Sequence, residues 1–177
     1  MENQTNKFST EITVQLFIIN KNASSSRWLD WQPFDTGPGI FIIPEDSFLG
    51  IRAQGIDDNN FVQLVRELSS VSCLRYLYLA ENRGITNKGI LNLENLTQIE
   101  YLNLSSCDIT SEGLAFLPSL TNLKFLDISY CNRISEKAAQ YIQKLPRLQY
   151  LDIKGVIKIN TSSLKKFEKR GLVIHQT

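Results

Sequence analysis

A short recurring phrase constrains the fold of this chain more than any other feature. It reads leucine, any residue, leucine or isoleucine, two further residues, then asparagine, cysteine or valine. Successive copies begin 25, 24 and 25 residues apart, at Leu77, Leu102, Leu126 and Leu151. A fixed period in the twenties predicts a solenoid, in which each unit buries its apolar face only against its neighbours.

A second phrase, an apolar anchor followed by a helix start, comes after each leucine pair. The predicted N-cap residues have side-chain oxygens that can accept the free amides of a first helical turn. They are Thr86, Thr110, Ser135 and Asn160. One unit is therefore predicted to be a short strand, a loop, a helix and a return.

The fourth helical position is small in every unit. It holds Gly89, Gly113, Ala138 and Ser163. Glycine costs a helix about 1 kcal/mol relative to alanine, so its recurrence needs a reason. We expect neighbouring units to approach each other closely at this position.

An earlier, degenerate unit precedes the four regular ones. Leu49-Gly-Ile51 aligns with Leu77-Tyr-Leu79, and its helix is expected to run through Leu68. With this unit the chain has about five repeats, and Gly171–Ile174 is expected to form a short terminal strand or cap.

These residues resemble leucine-rich repeat proteins of the cysteine-containing and ribonuclease-inhibitor-like subclasses. The resemblance covers residues 46–170 approximately. It implies an α/β fold, a curved stack with a parallel sheet on the concave side and helices outside. It also implies binding of a protein or peptide partner, without indicating which one.

The first 45 residues have a different pattern, so we divide the chain into residues 1–45 and a repeat domain, 46–177. Ile12, Val14, Leu16 and Ile18 alternate with the polar Thr13 and Gln15, which predicts a half-buried strand. Trp28–Trp31 and Ile40–Ile43 are predicted to be further strands. A turn is predicted at Asp35–Gly39. We interpret this region as a β-meander that caps the apolar end of the solenoid; a separate binding module is the alternative.

Charge and cysteine content narrow the class of protein. The net charge is +1, which gives no general attraction to nucleic acid or membrane. The longest apolar runs are too short for a membrane helix, and Ile12–Ile19 lacks the features of a secretory signal. Three cysteines, an odd number, are typical of a reducing compartment. We therefore expect a cytoplasmic protein.

Residues suited to catalysis are scarce. The single histidine, His175, is close to the end of the sequence, and Gly37-Pro-Gly39 lacks the lysine and helix start of a phosphate loop. Cys107 and Cys131 share a repeat position, where we expect them to point inward and bond loop backbone, as Asn82 does in its unit. Cys73 is expected to be the accessible thiol. We predict a non-enzymatic protein without metal or cofactor.

Alternation along the strands predicts three outward-facing columns of side chains. The aromatic column is Phe48, Tyr76, Tyr101, Phe125 and Tyr150, the second column is Gly50, Tyr78, Asn103, Asp127 and Asp152, and the third column is Arg52, Ala80, Ser105, Ser129 and Lys154. The candidate protein-binding residues are Phe48, Tyr76, Tyr78, Tyr101, Asn103, Phe125, Asp127, Tyr150 and Asp152. Alternatively, the rings stabilise the fold by stacking on one another or under the N-terminal strands.

A basic segment offers a second surface. Residues 144–170 hold eight basic and two acidic residues, a local net charge of +6. Without interleaved aromatic residues this is interpreted as a solvated cap rather than a nucleic-acid site. We predict a scaffold that binds a protein or peptide; the alternatives are an inhibitor of an intracellular enzyme and a purely structural module of a larger assembly.

Overall fold

The computed structural model describes residues 6–23 and 30–176, which form one eight-stranded sheet and a separate two-stranded ribbon. The strands are β1 Asn6–Thr10, β2 Val14–Asn20, β3 Gln32–Thr36, β4 Gly39–Ile43, β5 Ser47–Ala53, β6 Leu74–Tyr78, β7 Tyr101–Asn103, β8 Phe125–Asp127, β9 Tyr150–Asp152 and β10 Val173–His175. The α-helices are α1 Asp58–Leu68, α2 Asn87–Ile90, α3 Ala139–Ile142 and α4 Thr161–Leu164. In the described part of the chain, 3₁₀ helices also span Leu91–Asn95, Ser111–Ser119 and Glu136–Ala138.

Strands β5 to β10 lie side by side in chain order and are all parallel. Leu77, Leu102, Leu126 and Leu151 are directly paired across β6 to β9, and each is fully buried. Their common register follows from the period, because each unit returns the chain to the same point on the next strand. The predicted α/β fold with a mostly parallel sheet is confirmed.

The helical segments are shorter and tighter than the sequence suggested. Among the described helices, only α1, with 11 residues, forms three turns, and it ends at Leu68 as predicted. The next units replace the helix by one α-helical turn, by 3₁₀ helix or by both. Units of 24 and 25 residues leave little chain for a longer helix between strands. The segment Ser111–Ser119 also carries Pro118, which cannot donate a backbone hydrogen bond.

Three of the four predicted N-caps are confirmed by their hydrogen bonds. Thr86 accepts from the amide of Lys88, Ser135 from that of Lys137, and Asn160 from that of Ser163 in a reciprocal capping box. Thr110 occupies the N-cap position, but among the described residues its side chain caps no helical amide. Its hydroxyl donates to Glu112 Oε2 at 2.7 Å.

Hydrogen bonds between units explain the small residue at the fourth helical position. Asp58 Oδ1 accepts from the amides of Thr86 and Gly89 at 2.8 and 3.1 Å, and Asp58 Oδ2 accepts from the Thr86 hydroxyl at 2.7 Å. A Cβ on Gly89 would lie 2.3 Å from Asp58 Oδ1, and one on Gly113 would lie 2.2 Å from Asn87 Oδ1. The close approach predicted from the recurring glycines is confirmed, and its cause is a polar side chain from the preceding unit.

The next two units repeat this contact, the second of them with a shorter side chain. Asn87 accepts from the amide of Thr110 and donates to its hydroxyl. In the following unit the shorter Ser111 accepts from the amide of Ser135. The unit that follows Ser111 has Ala138 instead of glycine, because a serine side chain leaves room for one methyl group.

The N-terminal strands do not form the predicted meander. A meander pairs consecutive strands, whereas here β2 pairs with both β3 and β5, and β4 pairs with β1. β2 and β3 therefore extend the main sheet. The β1–β4 ribbon places Phe8, Phe41 and Ile43 in the main core instead. Val14 and Leu16 face that core as their alternation predicted.

Two of the predicted N-terminal elements have shifted boundaries. Of the strand predicted at Trp28–Trp31, residues 28 and 29 lie outside the described residues, and Trp31 directly precedes β3. The turn predicted at Asp35–Gly39 shrinks to Gly37 and Pro38, which join β3 to β4. Strand Ile40–Ile43 is confirmed within β4.

The predicted register of the first unit is wrong by two residues. Ile51, rather than Leu49, pairs with Leu77, and Gly50 pairs with Tyr76. The register is also irregular between Leu49 and Gly50, since Leu49 pairs with Leu74. Both Leu49 and Ile51 are apolar and buried, so alternation alone could not distinguish the two alignments.

The cysteines are free thiols that line the core. Cys107 and Cys131 donate to the carbonyl oxygens of Leu79 and Leu104, at 3.2 and 3.1 Å, as predicted. Asn82 makes the equivalent bond to Ala53, at 2.9 Å. The prediction that Cys73 is the accessible thiol is wrong, because Cys73, directly before β6, is only 3% exposed. Within the described ranges, no helix is both long and apolar enough to span a bilayer.

Candidate functional site

The face of the main sheet opposite the core, here called the open face, carries the predicted aromatic column. Neighbouring ring centroids are 5.9 Å apart for Tyr76 and Tyr101, 6.2 Å for Tyr101 and Phe125, and 4.6 Å for Phe125 and Tyr150. The last pair is stacked with its planes 5° apart. In-register parallel strands impose this contact, because equivalent side chains on adjacent strands stand about 4.8 Å apart.

The N-terminal end of the aromatic column is covered. Gly50 stands where a ring would be expected, and a Cβ there would meet the Trp31 ring at 3.0 Å. Trp31 thus occupies the missing position and packs on Tyr76, with ring centroids 6.1 Å apart. Tyr76 is 5% exposed, and its burial raises the pKa of its hydroxyl. At this end of the column the rings therefore stabilise the fold by packing under the N-terminal strands, the alternative considered above.

The far end of the aromatic column is open. Tyr101, Phe125 and Tyr150 are each half-buried, and their rings neighbour one another along the column. Tyr150 pairs across the sheet with Val173, which is 59% exposed. Aromatic surface is therefore presented on β7, β8 and β9.

Phe48 and Arg52 are displaced from their predicted columns by the register shift. Phe48 packs with the cluster of Ile19, Trp31 and Tyr76, and the Arg75 guanidinium lies 4.5 Å from its ring centroid. Arg52 belongs to the second column, where its guanidinium lies 4.9 Å from the centroid of Tyr78. Arginine therefore covers the rings at this end of the sheet.

The second column forms a hydrogen-bonded line beside the rings. Asn103 Nδ2 donates to Asp127 Oδ2 at 2.7 Å, and Asp127 Oδ1 accepts from the amide of Ser129 at 2.9 Å. Asp152 Oδ1 accepts from the amide of Lys154 at 2.9 Å in the same way. Burial raises the pKa of the Asp127 carboxyl, and the charge of Asp152 raises it further. These carboxylates stabilise the turns that leave the strands.

One residue of this face was not recognised from the sequence as part of it. His175 pairs with Asp152 across β9 and β10, and its Nδ1 lies 2.9 Å from Asp152 Oδ2. The available signal was the predicted terminal strand itself, since aligning its apolar Ile174 with Leu151 places His175 beside Asp152.

The third column leads into loops with an unusual backbone. Ser129 Oγ donates to Ser105 Oγ at 2.8 Å. The next residue of each unit has positive φ: Gly55, Glu81, Ser106, Tyr130 and Gly155, at 70°, 68°, 59°, 58° and 68°. Beyond them lies an open cavity of about 580 Å³, lined by Arg83, Ser106, Cys107, Asp108, Tyr130, Asn132 and Arg133. Its Arg133 and Asp108 side chains are ion-paired at 3.0 Å.

Most cations of the basic segment lie on the helical side of the units, whereas Lys154 follows β9 in the third column. Lys144, Arg147, Lys165 and Lys166 are exposed at or after α3 and α4. Arg147 donates to Asn122 Oδ1 at 2.7 Å, and Lys169 donates to the carbonyl of Leu145. These cations thus bind polar groups of neighbouring loops.

The open face combines aromatic and carboxylate side chains. Across residues 6–23 and 30–176, no group of three or more His, Cys, Asp or Glu is placed to hold a metal ion. What the open face does present is aromatic surface bordered by carboxylates.

Comparisons with known proteins identify repeats in the central part of the chain. A family model described as "Leucine Rich repeats (2 copies)" matches residues 97–139, and one described as "Leucine Rich repeat" matches residues 72–93. No curated protein matches the sequence significantly.

The fold also resembles a solved structure. A chain in "Crystal structure of Rad7 and Elc1 complex in yeast" superposes with a TM-score of 0.56 at 19% sequence identity. The match covers 70% of this chain and 31% of that chain, so this chain spans under a third of its length. At this identity the likeness concerns the fold alone.

Proposed function

We propose that this leucine-rich repeat protein is a non-enzymatic scaffold that binds a protein or peptide on its open face. The observation that supports the proposal is the aromatic surface of Tyr101, Phe125 and Tyr150, which lies opposite the core and beside a line of polar groups. Aromatic side chains commonly dominate interface energies, at about 2 kcal/mol or more for each hot-spot residue.

The proposed architecture is a five-unit solenoid whose concave side is the open face, with residues 1–45 as its N-terminal cap. The shared position of Cys107 and Cys131 supports the cysteine-containing subclass. Three free, buried thiols support a reducing compartment, and we propose the cytoplasm.

The proposed binding residues are those of β7, β8 and β9. Trp31 and Arg52 cover the rings of Tyr76 and Tyr78, which leaves the other half of the open face for a partner. The set is Tyr101, Asn103, Phe125, Asp127, Tyr150 and Asp152. Since an ordinary interface uses about 20–30 residues a side, this area suits a peptide segment or needs the adjoining loops as well.

The test combines Tyr101→Ala with Phe125→Ala and measures partner capture from the native organism together with thermal unfolding. We expect partner loss with a cooperative transition retained. Leu91→Ala is the matched control, because Leu91 is an exposed apolar side chain on the 3₁₀ helix Leu91–Asn95, away from the open face. Unchanged capture by the double variant would overturn the proposal.

A further inference from the structure

We infer that the open face recognises an arginine side chain of its partner, seated against Tyr150 and held by Asp152. The inference rests on the proposed function and specifies the chemistry of that partner.

The first observation is where the ring stack stops. Phe125 covers one face of the Tyr150 ring at a centroid distance of 4.6 Å. On the other side, β10 presents Val173, a small aliphatic residue that is 59% exposed. In the described sheet, the Tyr150 ring is thus the end of the stack, with low side-chain cover on its β10 side. A planar group can lie there.

The second observation is the charge beside that ring. Asp152 follows Tyr150 by two residues on β9, so both point to the open face about 6.6 Å apart along the strand. Asp127 stands beside Asp152 on β8. Burial raises the pKa of the Tyr150 hydroxyl, and the negative charges of Asp152 and Asp127 raise it further.

The acceptor capacity of Asp152 is only partly used. Its Oδ1 accepts from the amide of Lys154, and its Oδ2 contacts His175 Nδ1. Two carboxylate oxygens offer about four lone-pair sites, so Asp152 can still accept from an incoming donor. Its side chain is 17% exposed, which leaves it reachable from the open face.

The distribution of charge orients the ligand. At the N-terminal end of the second column, Arg52 already covers Tyr78, so a partner cation is disfavoured there. At the other end stand Asp127 and Asp152, with the exposed Lys154 two residues after Asp152. A guanidinium satisfies both features of that end, because it stacks on an aromatic face and donates to a carboxylate in one plane.

The probe is a blocked pentapeptide with a central arginine between glycine and serine residues, titrated into the full chain. Aromatic ring resonances of Phe125 and Tyr150 are followed by NMR. Matched peptides carry citrulline, which has the same shape without the charge, or lysine. We expect the arginine peptide to shift the Tyr150 ring resonances, and citrulline to weaken binding at least tenfold.

Asp152→Asn should weaken binding of the arginine peptide to a similar extent, because it removes the negative charge. Asparagine keeps an oxygen that can accept from the Lys154 amide, so the turn should be retained. Glu94→Gln, an exposed carboxylate on a 3₁₀ helix, is the matched control and should leave the titration unchanged. Thermal unfolding of both variants establishes that they are folded.

Equal affinity for the arginine and citrulline peptides would overturn the inference, as would undiminished binding by Asp152→Asn. A lysine peptide that binds as tightly as arginine would overturn the guanidinium assignment. Each of these results leaves the scaffold proposal standing, which fails only if partner capture survives removal of the Tyr101 and Phe125 rings.

Discussion

At the scale of single residues, the contact between Asp58 and Gly89 couples two units. Gly89→Ala should destabilise the protein, although alanine favours helix by about 1 kcal/mol, because its Cβ would lie 2.3 Å from Asp58 Oδ1. Thermal unfolding should show a lower Tm, whereas Lys88→Ala on the exposed side should change it little.

Asp58 and Gly89 can also be replaced together by the residue types that occupy the same two positions two units later. Asp58→Ser with Gly89→Ala reproduces Ser111 and Ala138, and should recover much of the stability lost by Gly89→Ala alone. A double variant no more stable than Gly89→Ala would show that the Asp58 side chain is not the obstacle.

Thiol reactivity tests burial at the same scale. Burial raises the pKa of Cys107 and of Cys131 to about 12, and it raises that of Cys73 as well. Because the thiolate is the reactive form, all three should resist an aromatic disulfide reagent in native buffer near neutral pH. In denaturant, three thiols should react. A fast-reacting Cys73 in native buffer would contradict the structure.

At the scale of elements, the strands depend on their inward leucines. Leu102 on β7 is fully buried, so Leu102→Ala should cost about 2–5 kcal/mol through the cavity it leaves. Urea unfolding measures this loss. Glu94→Ala, on an exposed position of the neighbouring 3₁₀ helix, serves as the control and should differ from the parent by less than about 0.5 kcal/mol.

The turns after the strands should gain stability from glycine. Ser106 has φ 59°, in the left-handed region that costs an L-residue about 1–2 kcal/mol. Ser106→Gly should therefore raise the midpoint of urea unfolding, although the more flexible unfolded chain offsets part of the gain. Thr121→Gly, in a turn with ordinary φ, should lower the midpoint instead. A lowered midpoint for Ser106→Gly would contradict this account.

At the scale of the whole molecule, the N-terminal strands complete both the sheet and the core. Removing residues 1–45 takes away β2, which pairs along β5, and β1 and β4, which carry Phe8, Phe41 and Ile43 into the core. The shortened protein should aggregate or unfold with reduced cooperativity. Sedimentation velocity and thermal unfolding measure both effects. A stable monomer would favour an independent binding module.

The sequence alone predicted the repeat period, the inward leucines, the aromatic column on β6 to β9 and the bonding of Cys107 and Cys131. These follow from local spacing, since a regular period places equivalent residues in register. The end of α1 at Leu68 and the close contacts at Gly89 and Gly113 were likewise predicted from local sequence.

Only the tertiary structure decided which strands the N-terminal segment joins, the register of β5, the cover that Trp31 gives to Tyr76, and the contact of His175 with Asp152. These depend on contacts between segments far apart in the chain, where alternation fixes the face of a residue but not its partner. Leu49 and Ile51 are equally apolar, so the irregularity between Leu49 and Gly50 was visible only once β5 lay beside β6. The burial of Cys73 was likewise hidden, because a loop residue takes its exposure from what packs over it.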